Sequence, residues 1–304
     1  MTGHAITLRG DGWPATYGAE AQPRMGFFTD TSVCIGCKAC EVACKEWNRV
    51  PASSQGFTGE SYDNTRALGA DTWRHVAFVE QRKPVGAADG TESLVDVAAR
   101  AEAADRWGLQ TYQDGDGMRW LMASDVCKHC THAACLEVCP TGALFRTEFG
   151  TVVVQPDICN GCGYCVPACP FGVLDRREDD GRVWKCTLCY DRLKDDKEPA
   201  CAQACPTDSI QFGELDALRE QAGARLERLR DAGADQARLY GEDPDDGVGG
   251  FGALFLLLDE PETYGLPPAP EDPVRDVRET WAAAGAAALA LGAALVAAVF
   301  GGRR

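Results

Sequence analysis

Sixteen cysteines stand in four quartets, and none lies outside a quartet. They are Cys34, Cys37, Cys40 and Cys44; Cys127, Cys130, Cys135 and Cys139; Cys159, Cys162, Cys165 and Cys169; and Cys186, Cys189, Cys201 and Cys205. The third reads CNGCGYCVPACP, with spacers of two, two and three residues before a proline. Thiolates at that spacing suit an iron–sulfur cube. A tight loop wraps three of them around three corners, and the fourth turns away toward a second cube. Gly161 and Gly163 are expected to let the loop approach the inorganic sulfides, since glycine adds no side-chain bulk and tolerates positive φ. The first quartet repeats the spacing; the second widens one gap to four residues and the fourth to eleven. Proline follows Cys139, Cys169 and Cys205, whereas Lys45 follows Cys44.

Two rival chemistries fit less well. A structural zinc site takes paired C-x2-C elements around one tetrahedral ion. The fourth thiolate of the third quartet does not fold back easily onto such an ion. Disulfide frameworks suit short secreted scaffolds. This chain has 304 residues, and its first twenty-five hold neither an apolar nor a basic signal region.

The motif is that of bacterial ferredoxins, in which paired units exchange their fourth cysteines. Cys127, Cys130 and Cys135 are expected to share a cube with Cys169. Cys159, Cys162 and Cys165 pair with Cys139. The first and fourth quartets are left as partners, so Cys34, Cys37 and Cys40 go with Cys205. Cys186, Cys189 and Cys201 go with Cys44. All sixteen are therefore read as metal and cofactor ligands, with no catalytic residue. The formal charge is −16. Four oxidised cubes with their thiolates add about −2 apiece, which takes the total to about −24. That excludes nucleic acid, which needs a basic face, and bare adhesion to anionic lipid. Thin cores in such units make the folded state depend on bound metal.

The elements between the quartets have to position these loops. Residues 1–25 read as an extension. Residues 26–85 with 182–213 form an outer ferredoxin-like unit that carries quartets one and four. Residues 119–181 form an inner unit, inserted in the outer one, that carries quartets two and three. Residues 86–118 read as a surface insertion with a short helix near 93–106. Thr72 to Gln81 reads as a strand with Trp73, His75, Ala77 and Val79 on one side, and His75 as structural. Thr151 to Gln155 reads as a strand. His129 and His132 lie within a ligand loop and are read as surface or supporting residues, since each quartet already has four thiolates. Lys38, Lys45, Lys128 and Lys185 flank ligands; they either raise cluster potentials or are simply solvated. A helix over 213–233 buries Leu215, Leu218, Ala222, Leu226 and Leu229 and has acidic and basic ends that suit its dipole. Residues 214–258 are thus an accessory helix and strand, the strand being Leu254 to Leu258. Residues 259–280 read as a linker. Residues 281–300 contain no charge, which predicts a single transmembrane helix. Its flanking arginines balance and leave the orientation open. The fold class is α+β.

The stretches MGFFTDTSVCIGCKACEVACKEWN, CKHC through CPTGAL, and FGTVVVQPDICNGCGYCVPACPFGV through ACPTDSIQFG resemble a known family. It is the iron–sulfur (beta) subunit of membrane-bound respiratory formate dehydrogenases of the N/O type. The YGLP linker and the C-terminal span resemble it too. The wider group of four-cluster subunits also serves nitrate, sulfoxide and polysulfide reductases and some hydrogenases. The resemblance implies four 4Fe-4S clusters and an electron-transfer role in anaerobic respiration, without a reaction of its own. The implied donor is a formate-oxidising molybdenum or tungsten catalytic subunit, and the implied acceptor a membrane cytochrome b that reduces quinone. Electrons would enter at the cube of Cys34, Cys37, Cys40 and Cys205 and leave from that of Cys159, Cys162, Cys165 and Cys139. The implied location is the cytoplasmic membrane, single-pass, with the soluble part on the outer, periplasmic face. The alternative is the same relay in a hydrogenase or another molybdopterin reductase complex. A stand-alone enzyme would need a flavin or nucleotide site, and neither a strand-linked G-x-G-x-x-G nor a P-loop occurs.

Overall fold

The computed structural model describes residues 16–52, 59, 62–81, 119–275 and 277–301. Most of the N-terminal extension and the insertion at 86–118, with its helix near 93–106, lie outside the described residues.

The main sheet has four strands, which lie side by side in the order β8 Ile210–Glu214, β1 Met25–Asp30, β10 Ala253–Leu257 and β9 Arg238–Tyr240. β1 runs parallel to β10 and antiparallel to β8. β10 reads ALFLL and is buried along its whole length, as a strand covered on both faces must be. Side chains alternate between the faces. Phe28, Leu254 and Leu256 pack under the helix Leu215–Asp231 through Leu215, Leu218, Ala222 and Leu229. Phe27, Ala253, Phe255 and Leu257 face the cysteine-bearing half. The strand read as accessory thus lies inside the main sheet, and joins residues more than two hundred positions apart. Gly26 makes this possible: a Cβ there would stand 2.3 Å from the carbonyl oxygen of Gly252. Gly26→Ala is expected to destabilise the holo protein by about 1–3 kcal/mol. Thermal unfolding reads this as a lower midpoint, and an unchanged midpoint contradicts the close approach.

The cysteine-bearing half is built from hairpins and short helices. β2 Arg74–Gln81 pairs antiparallel with β3 Arg119–Val126. β4 Leu144–Arg146 pairs with β5 Val152–Val154, and β6 Asp175–Arg176 with β7 Val183–Trp184. The helix Ala39–Asn48 follows the first ligand loop. One apolar core runs through both cysteine-bearing stretches, from Phe27 and Val76 to Val154 and Leu174. Trp73, just before β2, stacks on Trp184 of β7 at 6.3 Å.

The structure differs from the sequence reading in three further places. Trp73, His75, Ala77 and Val79 are expected to form the packing side of β2, yet Arg74 and Val76 are also buried, because this end of the strand is covered on both faces. The stretch 259–275, expected as part of an extended linker, packs on the body. Pro261, Tyr264 and Leu266 are buried, and Asp259 pairs with Arg119. The C-terminal stretch is a helix, Val277–Gly301, with Trp281, Leu289, Leu291 and Leu295 exposed. Among the described residues, however, no helix is long and apolar enough to cross a membrane, so the transmembrane assignment of 281–300 is not supported. Eleven of those twenty residues are alanine, each adding only a methyl group to the apolar surface.

Candidate metal centres

No two of the sixteen cysteines are joined as a disulfide. The structure gathers them from distant segments. Cys34, Cys37, Cys40 and Cys205 line one cavity. Cys127, Cys130, Cys135 and Cys169 line another. Cys44 lies among Cys186, Cys189 and Cys201, whose charges act on it. Cys165 lies in the same way among Cys139, Cys159 and Cys162. Among the described residues no three His, Cys, Asp or Glu side chains are grouped to hold a metal ion. The two cavities lined by four cysteines each suit a cube, which takes one thiolate per iron.

Left-handed backbone shapes these loops. Gly161 has φ +72°, and a Cβ there would lie 2.3 Å from the Gly181 carbonyl oxygen. The neighbouring loop, therefore, is what demands glycine at this position. Lys38, His129, Leu188 and Cys189 also have positive φ, the last at 48°.

Burial pushes the thiols up: Cys40, Cys165 and Cys186 to about 12, and Cys189 to about 11. Buried thiols of this kind become ligands only when a metal or a nearby cation favours the thiolate. Cys139 behaves differently. Its partial burial acts upward, but hydrogen bonds from the backbone of Leu144, Thr141 and Ala143 and from the Thr141 hydroxyl hold it below the ordinary thiol value.

The cations stand between the sets. Arg74 is 2 % exposed. Its Nη2 donates to Cys201 Sγ at 3.3 Å, and its Nη1 to the Ser124 carbonyl at 3.1 Å. Burial acts to lower the Arg74 pKa, but the charges of Cys201, Cys40 and Cys186 outweigh it and raise it. Lys185 is 1 % exposed and donates to the carbonyls of Val152 and Cys186. Burial acts downward on it too, and Cys127, Cys135 and Cys186 together raise it. Lys128 is equally buried and pairs with Asp125. The solvated reading thus falls for Lys128 and Lys185. Lys38 is paired with Glu41 and Asp63, and Lys45 donates to the carbonyls of Pro51 and Asp71.

Two site residues escape sequence reasoning. One is Arg74, for which an arginine at the head of an apolar strand is the only signal. The other is Asn48, whose Nδ2 lies 3.7 Å from Cys44 Sγ and 3.6 Å from Cys189 Sγ. His75 is structural, as expected: it bonds Thr65 and faces Asp63. His132 lines the cavity of Cys127, and its backbone N–H donates to the Val248 carbonyl at 2.7 Å.

Comparison with known proteins agrees with this donor set. Models of a 4Fe-4S dicluster domain match residues 118–215 and 33–143. The formate dehydrogenase iron–sulfur subunit of Haemophilus influenzae is 36 % identical over 262 residues, covering 85 % of this chain and 73 % of the relative. The chain belongs to the family of formate dehydrogenase iron–sulfur subunits. The nitrate-inducible formate dehydrogenase iron–sulfur subunit of Escherichia coli K12 is 37 % identical over 80 % of this chain and 72 % of its own length. A subunit of the anaerobic dimethyl sulfoxide reductase of the same organism is 33 % identical, over 65 % of this chain and 77 % of its own length. Similarity to the formate dehydrogenase subunits therefore reaches further along the chain.

Proposed function

We propose that this chain is the electron-transfer subunit of a formate dehydrogenase complex and holds four 4Fe-4S clusters in a row. Cys34, Cys37, Cys40 and Cys205 would hold the first. Cys44, Cys186, Cys189 and Cys201 would hold the second, Cys127, Cys130, Cys135 and Cys169 the third, and Cys139, Cys159, Cys162 and Cys165 the fourth. A bound cube accepts and passes on a single electron. The observation that carries the reading is the order of the sets. Cys201 acts on Cys40, Cys127 on Cys186, and Cys165 on Cys135. Each set thus neighbours the next, and the two exposed cysteines, Cys37 and Cys162, belong to the two end sets. A row that is covered in the middle and open at both ends suits a relay between two partners. The chain's own residues bury the inner thiolates, place Arg74 and Lys185 between sets, and leave the ends accessible.

The donor in this reading is a molybdopterin-containing catalytic subunit that oxidises formate, and the acceptor a membrane cytochrome b subunit. The exposed apolar side chains of the helix Val277–Gly301 support a seat beside a lipid-embedded partner. The two ferredoxin-like units, one inserted in the other, are part of the same proposal.

The test uses the native complex, purified without oxygen. Cys162→Ser is expected to leave formate oxidation by an artificial acceptor largely intact and to slow quinone reduction severely, because the relay then lacks its last cube. Loss of dye-coupled oxidation alone, or of neither activity, contradicts the order. Activity with another donor and none with formate favours the alternative complex.

A further inference from the structure

His129 lies between Cys127 and Cys130 and is 2 % exposed, so a surface role is excluded. Its Nδ1 accepts the backbone N–H of Val152 at 3.1 Å. A ring nitrogen that accepts carries no proton, so the acceptance assigns the neutral tautomer with its proton on Nε2. That tautomer cannot bind iron through Nε2. Among the described residues, this buried Nε2 has no hydrogen-bond partner. Orphaned buried donors are rare in native structures and call for an explanation. The ring borders the cavity that Cys127, Cys130, Cys135 and Cys169 also line. Its position is fixed from the far side: Arg24 Nη2 donates to the His129 carbonyl at 3.1 Å, and a Cβ on Gly252 would come within 3.2 Å of the His129 Cβ.

We infer that the Nε2–H of His129 donates a hydrogen bond to a sulfur of the cube held by those four cysteines, and so raises that cube's reduction potential. The inference rests on the ligand set proposed above. A donor to sulfur stabilises the more negative, reduced cube, which is one of the ways a protein sets these potentials. His129 is a positioning residue here and transfers no electron itself.

The experiment is an EPR-monitored redox titration of the holo complex. Cys135→Ser first identifies the signal of this cube. His129→Asn can keep a carbonyl acceptor for Val152 at the place of Nδ1 but is too short to put a donor at the place of Nε2, whereas the longer His129→Gln can put its amide N–H there. The Asn variant is expected to disfavour reduction of this cube about tenfold, which is about 59 mV for one electron, with the other three unmoved. The Gln variant should recover part of the shift. In wild-type protein the same signal should show coupling to an exchangeable proton and to a histidine nitrogen that His132→Asn leaves in place. A set of signals that Cys135→Ser leaves unaltered overturns the ligand set, and the inference with it. A correctly identified signal with no histidine coupling, or with an unmoved potential in His129→Asn, overturns the hydrogen bond alone.

Discussion

Stripping iron and sulfide from the holo protein is expected to abolish its cooperative unfolding transition. Cys40, Cys44, Cys127, Cys165, Cys186 and Cys201 belong to the main apolar core, so what they bind is part of what fills it. The helices beside them, Ala134–Glu137, Cys165–Ala168, Tyr190–Lys194 and Ala200–Gln203, have four or five residues each. Helices that short do not persist without tertiary support. Without the bound group, Arg74 and Lys185 are left as buried cations among neutral thiols, a costly arrangement. Metal binding and folding are then one process. Hydrogen exchange should show early loss of protection across 127–205, with Phe28, Leu254 and Leu256 under the long helix exchanging last. An apo protein that keeps the holo melting curve and near-UV circular dichroism contradicts this account.

Lys185→Met is expected to lower the potentials of the second and third cubes together. The lysine acts on Cys127 and Cys135 of one set and Cys186 of the other. A unit charge about 7 Å away at an effective dielectric of about 20 is worth about 2 kcal/mol, or roughly 100 mV for one electron. Methionine fills a similar volume without the charge, although it leaves the carbonyls of Val152 and Cys186 without this donor. Iron content has therefore to be measured alongside potential. A fully loaded variant with both potentials unmoved shows that the charge is screened or compensated elsewhere.

Much of the local structure is legible in the residues. The helix Leu215–Asp231 follows from leucines at spacings of three and four, because that pattern matches its period, and the buried strand from the apolar run at 254–258, one residue later than the strand Ala253–Leu257 itself. The left-handed turns at Gly161 and Gly163 are legible as glycines. The reason for Gly161 is not: the expected cause was room for sulfide, whereas the Gly181 carbonyl passes 2.3 Å from its Cβ position. Arg74 is hidden for a similar reason. Its role depends on Ser124 and Cys201, 50 and 127 residues away.

The residues alone dictate the chemistry: sixteen thiols in four quartets, because short spacers limit which sulfurs one loop can bring together. The cations between the sets, the burial of 259–275 and the exposure of the helix Val277–Gly301 come from the folded chain. These features depend on contacts between residues far apart in the chain, which no local pattern encodes.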